Sequence, residues 1–257
     1  MTRALLRISL LSLLCGVAGS GYAGAEANAE VPRHLAVARE LVENIKPADN
    51  EYRLGGDQVT FPGDFLSNKY AMSADCSGFL LAIFQRAGYG TRGQMSYLVA
   101  TPNRKRPRAE DFVLSIEQER GFRRVERVAD IRPGDLLGHA MLDIADQRQT
   151  GTSGHVFLID SVPKKIEARK PVVPGTQQYE VSIIDSNGEL VGEDDTRRAA
   201  GLEAGLGRGT IRLYADGDDR LVGWARTFRN AGRFFSYDPR FPSESKRRKA
   251  AVGRPVS

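Results

Sequence analysis

The 257-residue chain contains very little cysteine. Only Cys15 and Cys76 are present, and Cys15 lies in an N-terminal segment that has the layout of an export signal. The exported chain would keep one thiol, which excludes a fold held together by internal disulfides. An unpaired thiol in an oxidising compartment is either a buried bystander or a reactive group that must stay free.

Long apolar runs are also missing. The run from Ile8 to Gly19 is too short to span a bilayer comfortably, and no later stretch is apolar enough to do so. Basic residues precede this run and Ala23-Gly24-Ala25 follows it, so we predict a signal peptide over residues 1–25. We therefore expect export to the periplasm or the extracellular space, with no transmembrane segment in the exported protein.

Lipidation at Cys15 is the alternative to simple secretion. Ser12-Leu13-Leu14 lies directly before this cysteine. Because it lacks the small residue expected just before a lipidated cysteine, the sequence favours cleavage after Ala25.

The body of the chain has little net charge. The whole chain carries +5, but the signal holds Arg3 and Arg7 and residues 243–257 carry a net +4, which leaves about −1 for residues 26–242. Nucleic-acid binding is therefore not favoured. We predict that residues 243–257 form a basic, disordered tail, which is either simply solvated or weakly attracted to an anionic envelope.

The periodicity of apolar residues changes in an orderly way along the chain. Apolar residues recur at helical spacing over Arg33–Ile45, Ser77–Ala87 and Ala109–Arg120. The predicted strands that follow are Asp135–Met141, His155–Val162, Tyr179–Ser186, Gly209–Ala215 and Leu221–Arg226. Helices first and strands afterwards predict an α+β domain over residues 26–242, with helices packed on a mainly antiparallel sheet. The Gly- and Pro-rich stretch between the first two helices is predicted to be a loop.

Cys76 lies at the predicted N-terminus of the second helix, in Asp75-Cys76-Ser77-Gly78. Unpaired backbone N–H groups at a helix N-terminus stabilise a thiolate, so this position favours a reactive thiol. The alternative is a small buried hydrophobic residue. The neighbouring Asp75 and Ser77 are polar, which argues against that alternative.

Three histidines are candidates for the partner of this thiol. We predict that His34 is a surface residue of the first helix and that His139, inside an apolar strand, is structural. His155 stands at a strand start after the flexible Gly151-Thr152-Ser153-Gly154, from which an imidazole can reach a helix N-terminus. Cys–His catalysis needs such a pair, because imidazolium stabilises the thiolate and later protonates the leaving amine.

Strand pairing predicts the group that orients the imidazole. If the strands starting at His155 and Tyr179 form a hairpin, the start of the first lies opposite the end of the second, near Asp185. Asp160 is a poorer candidate because alternation points it away from the face of His155. Asn187 is the fallback, and a plain turn before Asn187-Gly188 is the structural alternative for Asp185.

Four ordered motifs resemble those of the NlpC-type cell-wall cysteine peptidases, which have a compact papain-like fold. The resemblance spans roughly Glu51 to Asn187. The motifs are Tyr52-Arg53-Leu54-Gly55-Gly56, Asp75-Cys76-Ser77-Gly78-Phe79, Arg132-Pro133-Gly134-Asp135-Leu136 and Gly154-His155-Val156.

The resemblance implies hydrolysis of peptide bonds in peptidoglycan stem peptides, without a metal or cofactor. It implies that Cys76 is the nucleophile, His155 the base and Asp185 the third, polar residue. It further implies that Tyr52, Asp75 and Ser77 line a subsite for a free peptide amine. Tyr52 would also stabilise the oxyanion together with the Cys76 backbone N–H.

The chain departs from the family pattern in ways that leave the substrate open. The third position often holds histidine in this family, and the segment between Gly56 and Asp75 is long. The chain also continues well beyond Ser186. The alternatives are an amidase or acyltransferase using the same dyad, or a catalytically silent wall-binding module. The sequence leaves the oligomeric state open.

Overall fold

The computed structural model describes residues 30–89, 106–141, 143–228, 233–241 and 248–256. The predicted signal peptide, residues 1–25, lies outside them. The helices in these ranges are α1 (Arg33–Asn44), α2 (Cys76–Arg86), α3 (Ala109–Glu117), α4 (Ile144–Thr150) and α5 (Thr196–Ala199). The strands are β1 (Asn50–Tyr52), β2 (Asp57–Thr60), β3 (Ala71–Ala74), β4 (Phe122–Val125), β5 (Leu136–Met141), β6 (Gly154–Ile159), β7 (Lys164–Ile166), β8 (Gln177–Asn187), β9 (Gly205–Ala215), β10 (Leu221–Arg226), β11 (Phe234–Ser236) and β12 (Arg248–Pro255).

The larger sheet has the strand order β11-β10-β9-β8-β6-β5-β12-β4, and β7 also pairs with β8. Every pair in it is antiparallel. A small sheet, β1-β3-β2, lies before α2 in the chain and contains one parallel pair, β1 with β3. The predicted α+β class with a mainly antiparallel sheet is therefore confirmed.

Both faces of the larger sheet are apolar and buried, which explains why its central strands are almost uninterrupted apolar runs. One face packs on α1, α2 and α3 and forms the helix-side core, which includes Leu136, Val156, Leu158, Ile184 and Ala251. The next residue along each strand contributes to the sheet-side core, which includes Leu137, Phe157, Ile159, Ile183 and Val252. Fully burying a large apolar side chain of this kind stabilises the fold by about 1.5–3 kcal/mol.

The sheet curls around the sheet-side core. The ring of Trp224 on β10 lies 5.1 Å from that of Phe157 on β6, although β9 and β8 separate these strands in the sheet order. An antiparallel bridge between Arg127 and Arg220 joins the segment after β4 to the start of β10. The curled sheet brings β10 and β11 to the same side as the start of β6, where His155 lies.

The helix α2 is held by one apolar face and one cap. Phe79, Leu80 and Ile83 are at most 1 % exposed, and this face packs into the helix-side core beside α1. The Asp75 side chain caps the N-terminus. The helix therefore begins at a fixed place, and its first residue is Cys76.

The predicted disordered tail is wrong from Arg248 onward. Residues Arg248–Pro255 form β12, which pairs with β5 on one side and β4 on the other. Its charges are matched locally, because Lys249 lies 2.7 Å from Glu117 and Arg254 lies 2.8 Å from the buried Asp135. Residues 243–247 of the predicted tail lie outside the described residues.

Charge composition was a poor guide to this segment. Ala251 and Val252 are buried and belong to the helix-side core and the sheet-side core, respectively. Alternate residues of β12 thus face the two cores, so this end of the chain is an internal strand of the sheet.

Two further predictions about local structure are wrong. The Gly- and Pro-rich stretch before Cys76 is not simply a loop, because it contains β1, β2 and β3. His34 is not a surface residue, since it is 2 % exposed and its Nε2 donates to the Gly134 carbonyl at 2.7 Å. The spacing of His34, Ala38 and Leu41 places all three on the buried face of α1.

Candidate active site

The nucleophile candidate, Cys76, is the first residue of α2 and forms no disulfide. Asp75 is the N-cap, and its Oδ1 accepts hydrogen bonds from the Gly78 N–H and the Ser77 hydroxyl, each at 2.9 Å. The Cys76 N–H lies in the first helical turn, where the helix itself offers no acceptor. The thiol therefore lies at the positive end of the helix, beside a backbone N–H group that can donate to an oxyanion.

Two glycines allow the backbone segments of the site to approach closely. A Cβ on Gly78 would lie 2.2 Å from the Gly56 carbonyl oxygen, so the turn before β2 can pack against α2 only if residue 78 is glycine. Gly154 has φ +143°, and a Cβ there would lie 1.9 Å from the His139 carbonyl oxygen. The residue type at each position thus follows from the packing that places Cys76 and His155.

His155, the predicted partner of the thiol, lines the same cleft as Cys76. Burial by itself lowers the pKa of His155, but the charge of Cys76 and the hydrogen bond to Asp185 outweigh burial and raise this pKa to about 10. The imidazole therefore stays protonated through the neutral range. This arrangement suits an imidazolium paired with a thiolate.

Asp185 lies where strand pairing predicted it, beside His155. The distance from Asp185 Oδ2 to His155 Nε2 is 2.8 Å, which leaves Nδ1 for the thiol. Asn187, the fallback, donates from Nδ2 to the same Asp185 oxygen at 2.9 Å. Asp160, the poorer candidate, instead pairs with Arg39 and Arg208 at 2.6 and 2.8 Å.

A buried arginine that the sequence analysis missed holds Asp185 in place. Arg197 is 0 % exposed, and its Nη2 lies 3.0 Å from Asp185 Oδ1 and 2.7 Å from Asp195 Oδ2. Its Nη1 donates to the Gly205 carbonyl at 2.9 Å. Burial by itself raises the pKa of Asp185, but the charge of Arg197 and the contact with His155 outweigh burial, so this pKa lies below its ordinary value.

No local pattern marks Arg197 as functional. It lies in the short helix α5, 12 residues from Asp185 along the chain, and it meets Asp185 because β8 and β9 pair there. An aspartate–arginine–aspartate cluster can be recognised only once that pairing is known.

The predicted amine-binding residue Asp75 already has a cationic partner. Arg106 donates to both of its carboxylate oxygens, from Nη2 at 2.6 Å and from Nη1 at 3.0 Å. The Gly55 N–H donates to Oδ2 at 3.0 Å. Arg106 also reaches the Ser77 hydroxyl at 3.1 Å, so an ammonium group would compete with a guanidinium for these two side chains. Sequence analysis did not find Arg106.

Tyr52 lines the same cleft as Cys76 and His155. Burial, followed by the charges of Cys76, Asp75 and Asp185, raises the pKa of Tyr52 to about 12. The phenol is therefore protonated at neutral pH and can donate a hydrogen bond. It meets the chemical requirement for an oxyanion donor that the family resemblance implies.

The cleft around Cys76 has a volume of about 1190 Å³. His139 forms part of its wall, and burial is the main reason why the pKa of His139 lies well below its ordinary value. Its Nδ1 accepts from the Tyr237 hydroxyl at 3.3 Å, and its ring stacks on Trp224. His139 is thus a neutral, packed residue, as predicted, although it also faces the cleft.

Among the described residues, no group of three or more His, Cys, Asp or Glu side chains is arranged to hold a metal ion. No helix within the described ranges has the length and apolar character needed to cross a membrane.

Comparison with known proteins shows similarity to a viral protein of unassigned activity. The chain is 27 % identical over 218 residues to "Uncharacterized protein R653" of Acanthamoeba polyphaga mimivirus, with 79 % of this chain and 91 % of that protein covered. No family model matches the chain, and no solved structure matches it. The similarity therefore covers most of both chains but assigns no activity.

Proposed function

We propose that this protein is an exported cysteine hydrolase with a papain-like, NlpC-type fold that cleaves peptide bonds of peptidoglycan stem peptides. One observation carries the proposal. Cys76 at a helix N-terminus shares a cleft with His155, whose pKa it raises, and Asp185 lies 2.8 Å from Nε2 of that imidazole. A thiol, an imidazole and a carboxylate in this order are the parts that thiol-dependent acyl transfer needs.

The first half of the reaction forms a thioester. The Cys76 thiolate attacks the carbonyl carbon of the scissile amide, and the negative charge moves to the carbonyl oxygen. The Cys76 N–H and the Tyr52 hydroxyl are the donors available to that oxygen. The His155 imidazolium then protonates the leaving amine as the C–N bond breaks, and the acyl group remains on sulfur.

The second half regenerates the enzyme. His155, now neutral, takes a proton from a water molecule, whose oxygen attacks the thioester carbonyl. The C–S bond breaks, the acid is released, and the thiolate–imidazolium pair is restored. Asp185 keeps the imidazole oriented throughout and stabilises its charged form, while Arg197 fixes the carboxylate.

A second candidate is an amidase or acyltransferase that uses the same dyad. The observation that favours it is the paired contact of Arg106 with Asp75, which occupies the group expected to bind a free peptide amine. Peptide substrates would then be recognised through other groups, or the acyl group would pass to an acceptor other than water. The presence of Cys76 and His155 in one cleft, where Cys76 raises the pKa of His155, argues against a silent wall-binding module, which would have no use for that pairing.

The test is incubation of the protein from Glu26 onward with purified cell-wall fragments, followed by mass analysis of the products. We expect a mass gain of one water across the two products of a stem peptide, and no product with Cys76→Ser, which should fold normally. Turnover by Cys76→Ser would contradict peptide hydrolysis. Intact fragments after incubation with unmodified wild-type protein would also contradict it, provided that iodoacetamide alkylates Cys76 in a separate sample and so shows that the thiol is reactive.

A second arm of the same experiment separates the two candidates. Stem peptides with a free N-terminal amine are compared with the same peptides after acetylation. Much faster cleavage of the free-amine peptides would mean that the amine displaces Arg106 from Asp75 and would support the first candidate. Equal rates would favour the amidase or acyltransferase.

A further inference from the structure

The cleft has an excess of positive side chains. Among the residues that the structure describes, five arginines and two acids line it, and the acids are Asp75 and Glu189. Each acid is paired within the cleft, Asp75 with Arg106 and Glu189 with Arg226. The other arginines in the described lining are Arg108, Arg233 and Arg248. The described part of the lining therefore favours anions.

A row of aromatic rings leads from the catalytic imidazole to one end of the cleft. The ring of His155 lies 6.1 Å from that of His139, which stacks on Trp224 at 6.0 Å. Trp224 in turn stacks on Phe235 at 4.6 Å. His139, Trp224 and Phe235 all line the cleft, so these rings form a continuous wall along which an extended chain can lie.

Two arginines flank the far end of this wall. The guanidinium of Arg248 lies 4.9 Å from the centre of the Phe235 ring, and that of Arg233 lies 5.4 Å from it. We call Arg233, Phe235 and Arg248 the arginine end of the cleft. Burial is the main cause that lowers the pKa of Arg248. The charge of Arg233 lowers this pKa further, whereas Tyr237 and Asp146 raise it. A bound anion relieves the repulsion between two like charges that lie close together in a concave site.

We propose that the arginine end binds a carboxylate of the substrate, a few residues from the bond that Cys76 attacks. Guanidinium groups suit this role because their planar N–H groups match the two oxygens of a carboxylate. A short extended peptide spans the aromatic row, since each residue advances the chain by about 3.3–3.6 Å. The statement that the anion belongs to a peptide rests on the proposed function. The anion preference of the cleft does not depend on that function.

The test uses an affinity label that needs no hydrolytic activity. Bromoacetyl trialanine with a free carboxylate is compared with the same label as its C-terminal amide. In both cases the Cys76 thiolate displaces bromide and forms a thioether, and mass analysis follows the rate. We expect the carboxylate label to react about tenfold faster than the amide, relative to their rates with 2-mercaptoethanol. Added salt should reduce this preference.

Variants locate the source of the preference. Arg233 is exposed, so Arg233→Gln should fold normally, keep the amide rate and lose most of the carboxylate preference. Arg248 is half-buried in β12, so the effect of Arg248→Gln is measured as the ratio of its own carboxylate and amide rates, and this ratio should also fall. Arg123→Gln, which removes an equal charge from an exposed position outside the cleft, is the matched control and should keep the preference.

The labelling rates and the wall-fragment assay together separate this proposal from the proposed function. Equal labelling rates for the wild-type protein, or an undiminished preference in both Arg233→Gln and Arg248→Gln, would overturn the carboxylate site. A preference that depends on these arginines in a protein that leaves wall fragments intact would uphold the site and refute the proposed peptidase function. Cleavage of wall fragments without any carboxylate preference would support the peptidase function and overturn the carboxylate site.

Discussion

Replacing Asp185 with asparagine tests the link between structure and chemistry most directly. The side chain keeps its shape, and its amide oxygen can still accept a hydrogen bond from His155 Nε2. The negative charge beside the imidazole is lost. Arg197 keeps its contacts with Asp195 and the Gly205 carbonyl, so the buried cation retains partners and the fold should persist.

The expected size of the effect follows from the contacts of Asp185. A hydrogen bond to a charged group is worth about 1.5–3 kcal/mol, so Asp185→Asn should lower kcat/KM roughly tenfold to a hundredfold. The same energy lowers the pKa of His155 by about one to two units from its value of about 10. The basic limb of the pH profile should therefore move to lower pH.

The sign of the stability effect follows from the same pKa. The pKa of His155 is raised above the ordinary 6.5, so its contribution to stability is fully present below pH 6.5 and is lost as the pH rises through about 10. Asp185→Asn should reduce this contribution and make the protein less stable at neutral pH.

The assay is kcat/KM on a wall peptide across the neutral and alkaline range, with the free energy of unfolding measured in urea at each pH. Asp195→Asn is the matched control, because Asp195 contacts Arg197 in the same buried cluster, whereas Asp185 is the carboxylate that contacts His155. The control should lower the free energy of unfolding and leave the basic limb of the kcat/KM profile at its wild-type pH. A folded Asp185→Asn protein with the wild-type basic limb would refute the role of Asp185.

Two further predictions concern the parts of the fold that support the site. Arg197→Met should lower the free energy of unfolding by about 3–5 kcal/mol in urea denaturation, since it leaves Asp195 buried without its cation and Asp185 with His155 alone. A loss below about 1 kcal/mol would contradict this. Truncation after residue 247 removes β12 and leaves β4 and β5 without their shared partner, so the truncated chain should fail to fold, as measured by circular dichroism. An unchanged melting temperature would show that β12 is dispensable.

The helix that carries the thiol could be predicted from neighbouring residues alone. The cap, the thiol and the apolar helical face follow one another from Asp75 to Phe84, so the position of Cys76 at a helix N-terminus was clear from the chain. Alternation along two strands also predicted that His155 and Asp185 share a face. Both inferences depend on neighbours in sequence or on one pair of strands, and for these the pattern of residues is sufficient.

The partners of the buried charges depend on contacts between distant segments, which the sequence does not reveal. Arg106 reaches Asp75, and Arg197 reaches Asp185, across segments that no periodicity connects. The basic end of the chain resembles a disordered tail by composition, yet it forms β12 because Glu117 and Asp135 neutralise its charges and two strands leave room for it. Whether a charged side chain can be buried depends on which groups of distant segments lie beside it, and the whole fold determines those groups.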